Sequence, residues 1–272
     1  MEKFHDFIVD VLLWPQFLRF FNGLEKVESI LLTNTISQFD SYISNAQGVV
    51  KAICTWIMAV FVALEFYNIV LKEEFDLERL YFLFIKVGIM RLIIYCAPDF
   101  LELLVLTGNW WCSKLSDSAL DISVFSTTMY DMLSDSIPKE ASGFWGVIFG
   151  IIQQIGCILL YIPNMIVWLV GYFMMIVLAY ARNIELVILT ALSPIPLCFV
   201  PWEGSKDITK RFIFSYSAVV LTGFVMLLVV GLWIELLMAE QMDIWMVTAL
   251  DVLLIVLLAK AGGWAKEVLG QG

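Results

Sequence analysis

The sequence predicts an all-α polytopic membrane protein, a bundle of five or six transmembrane helices. Three observations carry that reading. Hydrophobic residues make up 61% of the chain, against ~45–50% in soluble domains, and mean hydropathy is +0.89. Apolar runs long enough to cross the ~30 Å hydrocarbon core of a bilayer recur along the chain. No stretch alternates polar and apolar residues in the way a half-buried strand requires.

Residues 1–47 form an amphipathic, interfacial region. Phe4, Phe7, Ile8, Val11, Leu12, Trp14, Leu18 and Phe21 recur at helical spacing, with Glu2, Asp6, Asp10 and Arg19 between them. Such a helix lies on a membrane or a partner, or packs against the chain's own bundle. Three acidic residues precede any apolar core and no small-residue cleavage site follows, so a cleavable signal peptide is not expected here.

A first transmembrane pair occupies residues 48–106. The first span runs from about 48 to 70, with Lys51 at its edge and Glu65 inside, and a charged turn at 71–79 leads to the second. That second span contains Lys86, Arg91, Pro98, Asp99 and Glu102, so its later half is a candidate to leave the bilayer. Residues 107–143 are the longest polar stretch, rich in Ser and Asp and flanked by Trp110, Trp111 and Trp145. Tryptophan suits the headgroup level, and the expectation is an extracytoplasmic or partner-facing loop.

Residues 144–260 form the C-terminal transmembrane core. Phe144 to Tyr180 would make a helix about 55 Å long at ~1.5 Å per residue, too long for one upright crossing. Either it is two short spans divided near Pro163, or a lead-in helix followed by one span at about 159–181. The second is favoured, because Tyr161 to Asn164 makes a poor loop. An apolar segment at about 184–201 follows and carries Ser193-Pro194-Ile195-Pro196 in its middle. Proline lacks a backbone donor, clashes with the preceding turn and disfavours helix geometry in its predecessor. Two of them predict a broken helix at membrane depth, where irregular backbone is tolerated only against protein or water. Spans at about 212–238 and 244–260 and a short tail at 261–272 complete the chain.

Counting Lys and Arg tests the topology. With six spans, ten basic residues share one side and three the other; with five, in which 184–201 re-enters, eight face five. Both place the C-terminus in the cytoplasm. The charge count prefers six spans, and the break at Ser193–Pro196 prefers five.

Composition also excludes functions. The net charge is −10, so no basic surface is offered for tight, direct nucleic-acid binding. Cys54, Cys96, Cys112, Cys157 and Cys198 form no CxxC pair, and four of the five lie in apolar runs, where cysteine packs as a small hydrophobic residue. His5 is the sole histidine, which leaves no histidine triad or histidine-rich metal site. No glycine-rich phosphate loop or paired nucleophile and base occurs, so neither an enzyme nor a cofactor is expected.

Candidate functional residues follow from charge at membrane depth, which is costly unless paired. Lys86, Arg91, Asp99, Glu235 and Asp251 are such charges, and Arg91, Tyr95, Asp99 and Glu102 form one helical stripe. Glu185, Glu235 and Asp251 are candidate internal partners for Lys86 and Arg91; snorkelling, or an ion or proton pathway, are the alternatives. Arg182 and Glu185, one turn apart at the entrance to the broken segment, suit an i,i+3 ion pair. With Ser193, Pro194 and Pro196 they are the candidates for assembly or translocation. Gly146 to Gly150 matches the close-packing GxxxG pattern.

The block from Ala181 to Tyr216 (ARNIELVILTALSPIPLCFVPWEGSKDITKRFIFSY) resembles the TrbL-type polytopic membrane subunits of conjugative and type IV secretion systems. The likeness lies in a basic residue, here Arg182, before an apolar run into Ala191-Leu-Ser-Pro-Ile-Pro196. A short polar loop with Lys206 and a Lys210-Arg211-Phe212 start of the next span continue it. It covers about a seventh of the chain. The resemblance implies a multi-pass subunit of a bacterial cytoplasmic membrane that helps move DNA or protein, or build a pilus. Its partners would be further copies in a ring, secretion ATPases, other conjugation membrane subunits and a pilus or tip component. A secondary transporter, whose discontinuous helices bind substrate at the midplane, is the alternative; the chain shows one such break, not a related pair.

Overall fold

The computed structural model describes residues 6–71, 77–119, 122–136, 144–202, 205–239 and 244–270. Every regular element among them is helical: α1 (Phe7–Leu13, π-helical), α2 (Trp14–Leu32), α3 (Thr35–Gln38), α4 (Asp40–Leu71), α5 (Leu77–Ala119), α6 (Ile122–Ser136), α7 (Phe144–Leu192), α8 (Pro194–Leu197), α9 (Lys206–Ala239) and α10 (Ile244–Val268). The all-α reading therefore holds. Five helices carry a segment long and apolar enough to cross a membrane: Asp40–Val70, Glu78–Asp117, Tyr161–Leu192, Lys206–Met238 and Trp245–Val268. Their outer faces expose large apolar side chains, among them Trp56, Phe84, Leu92, Leu169 and Phe173, far more than a water-soluble surface carries. The protein is a multi-pass membrane protein. In Lys206–Met238, 56% of the apolar window is buried, against 11–28% in the other four, so α9 is the helix most enclosed by protein.

The boundaries depart from the sequence reading in two places. Residues 184–201 do not form a helix of their own. Residues up to Leu192 complete α7, which runs for 49 residues straight through Pro163, and the described residues hold five span-length helices, not six. The polar stretch 107–143 is helix as far as it is described: α5 extends to Ala119 and α6 fills Ile122–Ser136. The charged turn falls largely on residues 72–76, outside the described residues, as do Glu2, Phe4 and the side chain of Trp145.

The chain divides into two compact units. Unit 1 comprises residues 1–33, 110–181 and 223–262. Here the N-terminal amphipathic helix packs against its own chain. Ile8, Val9, Leu13, Leu24, Val27 and Leu31 are buried, while Asp6, Asp10 and Arg19 stay exposed. Helix α2 contacts α1 and α6. Helix α6 is fastened by Tyr130 Oη donating to Asp10 of α1 at 2.8 Å and by a T-shaped Trp14–Tyr130 pair at 4.9 Å, and Ser116 at the end of α5 donates to Glu28 of α2. Gly23 lets α2 approach α7, for a Cβ there would stand 2.1 Å from the Tyr172 ring.

Unit 2 comprises residues 34–109, 182–222 and 263–272. Asn34 caps α3 by accepting from the Ser37 amide. One apolar cluster joins Ile36, Ile43, Leu101, Val105, Leu186, Val187, Tyr216, Val219 and Val220. A second joins Val50, Cys54, Ile69, Leu83, Met90, Ile94, Cys198 and Trp202. Between them they hold the chain on both sides of Ser193-Pro194-Ile195-Pro196.

Candidate functional site

The arithmetic of proline fixes the site. In an α-helix the carbonyl of residue i accepts from the amide of i+4. Pro194 and Pro196 have no amide hydrogen, so the carbonyls of Thr190 and Leu192 lose their regular donors. Thr190 is fully buried, and a buried carbonyl left bare is destabilising. Three substitutes converge on it: Ser193 Oγ at 2.8 Å, Gln47 Nε2 at 3.1 Å and the Ser193 amide at 3.4 Å. Gln47 comes from α4, 143 residues away in sequence, and is itself buried.

With these donors in place the chain keeps helical dihedrals through the prolines. Ser193 has φ −54° and ψ −33°, although it precedes a proline. The regular helix is nonetheless interrupted: α7 stops at Leu192, Ser193 is a turn and α8 covers Pro194–Leu197. The prolines exchange backbone donors for side-chain donors, and α8 ends at Cys198, whose amide donates to Pro194 O at 3.0 Å. Thr209, at the start of α9, donates from Oγ1 to Pro196 O at 2.7 Å and ties the next span to the turn.

The side chain of Thr190 extends the network. Its Oγ1 donates to Leu186 O at 2.8 Å. The Tyr216 hydroxyl, 3.0 Å away, is then the donor to Thr190 Oγ1, since the threonine proton is already used. About three turns before the prolines, Arg182 is also buried. Its Nε donates to Val219 O at 3.2 Å, its Nη2 to Val220 O at 3.3 Å and its Nη1 to Asn183 Oδ1 at 3.3 Å. Carbonyls within a helix have a second lone pair free for such a donor, so the guanidinium joins α7 to α9 through backbone dipoles. Glu185 is exposed. The i,i+3 ion pair expected from the spacing is replaced by this inward turn of Arg182.

After the prolines an aromatic set takes over. Phe61 of α4 stacks on Trp202 at 5.2 Å and meets Phe199 edge-on at 5.6 Å. Lys86 Nζ lies 5.6 Å from the centre of the Trp202 ring and 2.7 Å from Glu65 Oε1. Lys86 thus finds its counter-charge on the preceding span, at a residue the sequence reading had noted but not paired. Arg91 and Asp99 are exposed. On the same stripe Tyr95 lies beneath Lys51 Nζ at 5.3 Å, and half-buried Glu102 accepts from Asn34 Nδ2 at 2.9 Å.

No protein-family model, curated protein or solved structure matches the chain.

The structure brings Arg182, Ser193, Pro194 and Pro196 into one unit, where adjoining sets of polar contacts join α7 and α8 to α4 and α9, and leaves Glu185 exposed. Of the intramembrane charges, Lys86 is paired within the same unit. Glu235 is exposed, and Asp251 is buried in unit 1, where Trp168 Nε1 donates to its Oδ2. Sequence reasoning missed Gln47, Thr190, Thr209 and Tyr216. One signal was present: Thr190 stands four residues before Pro194, so a side-chain donor was required there. The arrangement offers no nucleophile with a base. Its chemistry is that of a brace, in which hydrogen bonds hold four helical segments in one register.

Proposed function

We propose that this chain is a non-enzymatic scaffold or channel subunit of a conjugative type IV secretion system, helping DNA or protein across the cytoplasmic membrane of a bacterium. One observation supports this above others. The block that resembles TrbL-type subunits, residues 181–216, is also the block that supplies Arg182, Thr190, Ser193, Thr209 and Tyr216 to the buried network. A segment whose polar groups satisfy one another in apolar surroundings suits a fixed framework. Large apolar side chains exposed on the spans suit contact with lipid and with further copies of the chain in a ring. With five spans Lys206, Lys210 and Arg211 share a side with the C-terminus, and the positive-inside rule supports taking that side as cytoplasmic. The N-terminal helices and α6 then lie on the opposite side, open to a pilus or tip component.

Purification in mild detergent tests the proposal. A ring of several copies that co-isolates with a secretion ATPase is expected. The Pro194→Ala/Pro196→Ala variant should insert normally yet lose assembly or transfer, because the orphaned carbonyls that recruit Gln47 and Ser193 are gone. A monomer that takes up a small solute into liposomes refutes the scaffold reading in favour of a transporter.

A further inference from the structure

We propose that Asp251 is a neutral, proton-carrying carboxyl: a proton-binding site inside the membrane span Trp245–Val268. The inference concerns unit 1 and does not depend on the secretion reading.

Asp251 is 4% exposed in the middle of an apolar helix. Trp168 of α7 donates its indole hydrogen to Oδ2, and Trp233 of α9 packs edge-on against Trp168 at 6.1 Å. Oδ1 is buried and has no hydrogen bond of full geometry, although the indole of Trp233 is turned to the same carboxyl. One turn earlier on α10, Thr248 donates to Asn164 Oδ1 at 3.2 Å, so that neighbouring polar pair is already engaged with itself.

The charge balance decides the protonation state. An ionised carboxylate needs donors or a cation at both oxygens, and within a bilayer an unmet need is severe. The groups facing Asp251 from α7 and α9 are indoles, which carry no charge. The charged residues of unit 1 on α9 and α10, Glu235 and Lys260, are exposed. Lys86 is held by Glu65 and Arg182 by the carbonyls of α9, so neither candidate cation is available. A neutral acid matches the site better: Oδ2 accepts from Trp168, and a proton on the carboxyl removes a charge that two neutral indoles and no cation would leave uncompensated. Loss of that proton would put a bare charge among α7, α9 and α10, so their packing is coupled to proton binding.

Infrared spectroscopy of the full chain in phosphatidylcholine vesicles, with 13C-carboxyl aspartate incorporated, reads this directly. At neutral pH the wild type should show a protonated-carboxyl C=O band that shifts with the aspartate label and vanishes in Asp251→Asn. The asparagine keeps an oxygen for Trp168 and preserves the fold. Trp168→Phe, which removes the donor to Oδ2, should move the band without abolishing it. In thermal unfolding, wild type and Asp251→Asn should agree at acid and neutral pH and diverge as pH rises, the wild type losing stability first. If the label shifts only carboxylate bands at neutral pH, with no protonated-aspartate band in wild type or Trp168→Phe, the proposal is overturned.

Discussion

The exchange of donors at Thr190 can be measured as a coupling energy. Gln47→Leu keeps the volume of the side chain and removes both its polar groups, so no new unsatisfied atom is introduced on α4. It deletes the 3.1 Å bond to Thr190 O. A neutral hydrogen bond is worth about 0.5–1.5 kcal/mol net, and Ser193 Oγ continues to serve the same oxygen at 2.8 Å. The expected loss is therefore about 1 kcal/mol. Pro194→Ala restores a backbone amide to position 194, four residues after Thr190, and the helical dihedrals at Ser193 aim it at that carbonyl. In the Pro194→Ala background, Gln47→Leu removes a donor that is no longer needed and should cost less than about 0.5 kcal/mol. The two substitutions then couple by roughly 0.5–1 kcal/mol, above the error of such cycles. Reversible unfolding of the four proteins in bicelles, read by tryptophan fluorescence, measures the coupling. Equal losses from Gln47→Leu in both backgrounds would refute the account, because the amide of residue 194 would then have no bearing on what Gln47 does.

Two further outcomes follow from local geometry. Gly108→Ala places a Cβ 2.2 Å from Val220 Cγ1, in a β-branched side chain buried beside the carbonyl that holds Arg182. Overpacking of about 1–3 kcal/mol should outweigh the gain of up to about 1 kcal/mol from replacing glycine in a helix, giving a lower unfolding midpoint in thermal scans, whereas Gly88→Ala, with open space at its Cβ, should be neutral or stabilising. In unit 1, Tyr130 donates to Asp10, and that hydrogen bond, with the negative charges of Asp10, Asp6 and Asp131, pushes the phenol above its ordinary value. The folded state thus favours the neutral phenol, so the bond's contribution is complete below the ordinary tyrosine range and fades as pH climbs through the raised value; ultraviolet titration of Asp10→Asn should show one tyrosine ionising at lower pH than in wild type.

Much of this architecture was legible because hydropathy and length settle a membrane helix nearly alone. What hydropathy does not report is where a helix stops in polar surroundings. Ser113 to Asp117 and Ser126 to Ser134 read as loop by composition, yet serine and aspartate on the watered face of a helix are compatible with α geometry once Ser116 and Tyr130 have partners on α2 and α1. The helix break at the prolines was legible too, and α7 does stop at Leu192. What local preference does not report is that donors from Gln47 and Ser193 hold the broken turn in helical dihedrals.

Apolar helices have a problem that soluble ones escape. In lipid their outer faces are already in an apolar medium, so burial gives little preference for one rotation or register over another, and packing and hydrogen bonds must choose. Each unit resolves this with a few polar commitments in an otherwise greasy interface. In unit 2, Arg182 can reach the carbonyls of Val219 and Val220 in one register of α7 against α9. Gln47 fixes α4 to the Thr190 carbonyl that Pro194 has orphaned, and Lys86 fixes α5 to α4 through Glu65. In unit 1 the Trp168–Asp251 bond does the same for α7 and α10. The two kinds of commitment differ in consequence. The unit 2 contacts at Arg182 and Gln47 end on backbone carbonyls, which carry no titratable group, and they make a permanent brace. The unit 1 contact ends on a carboxyl, and under the proton-binding proposal the register it sets is open to control.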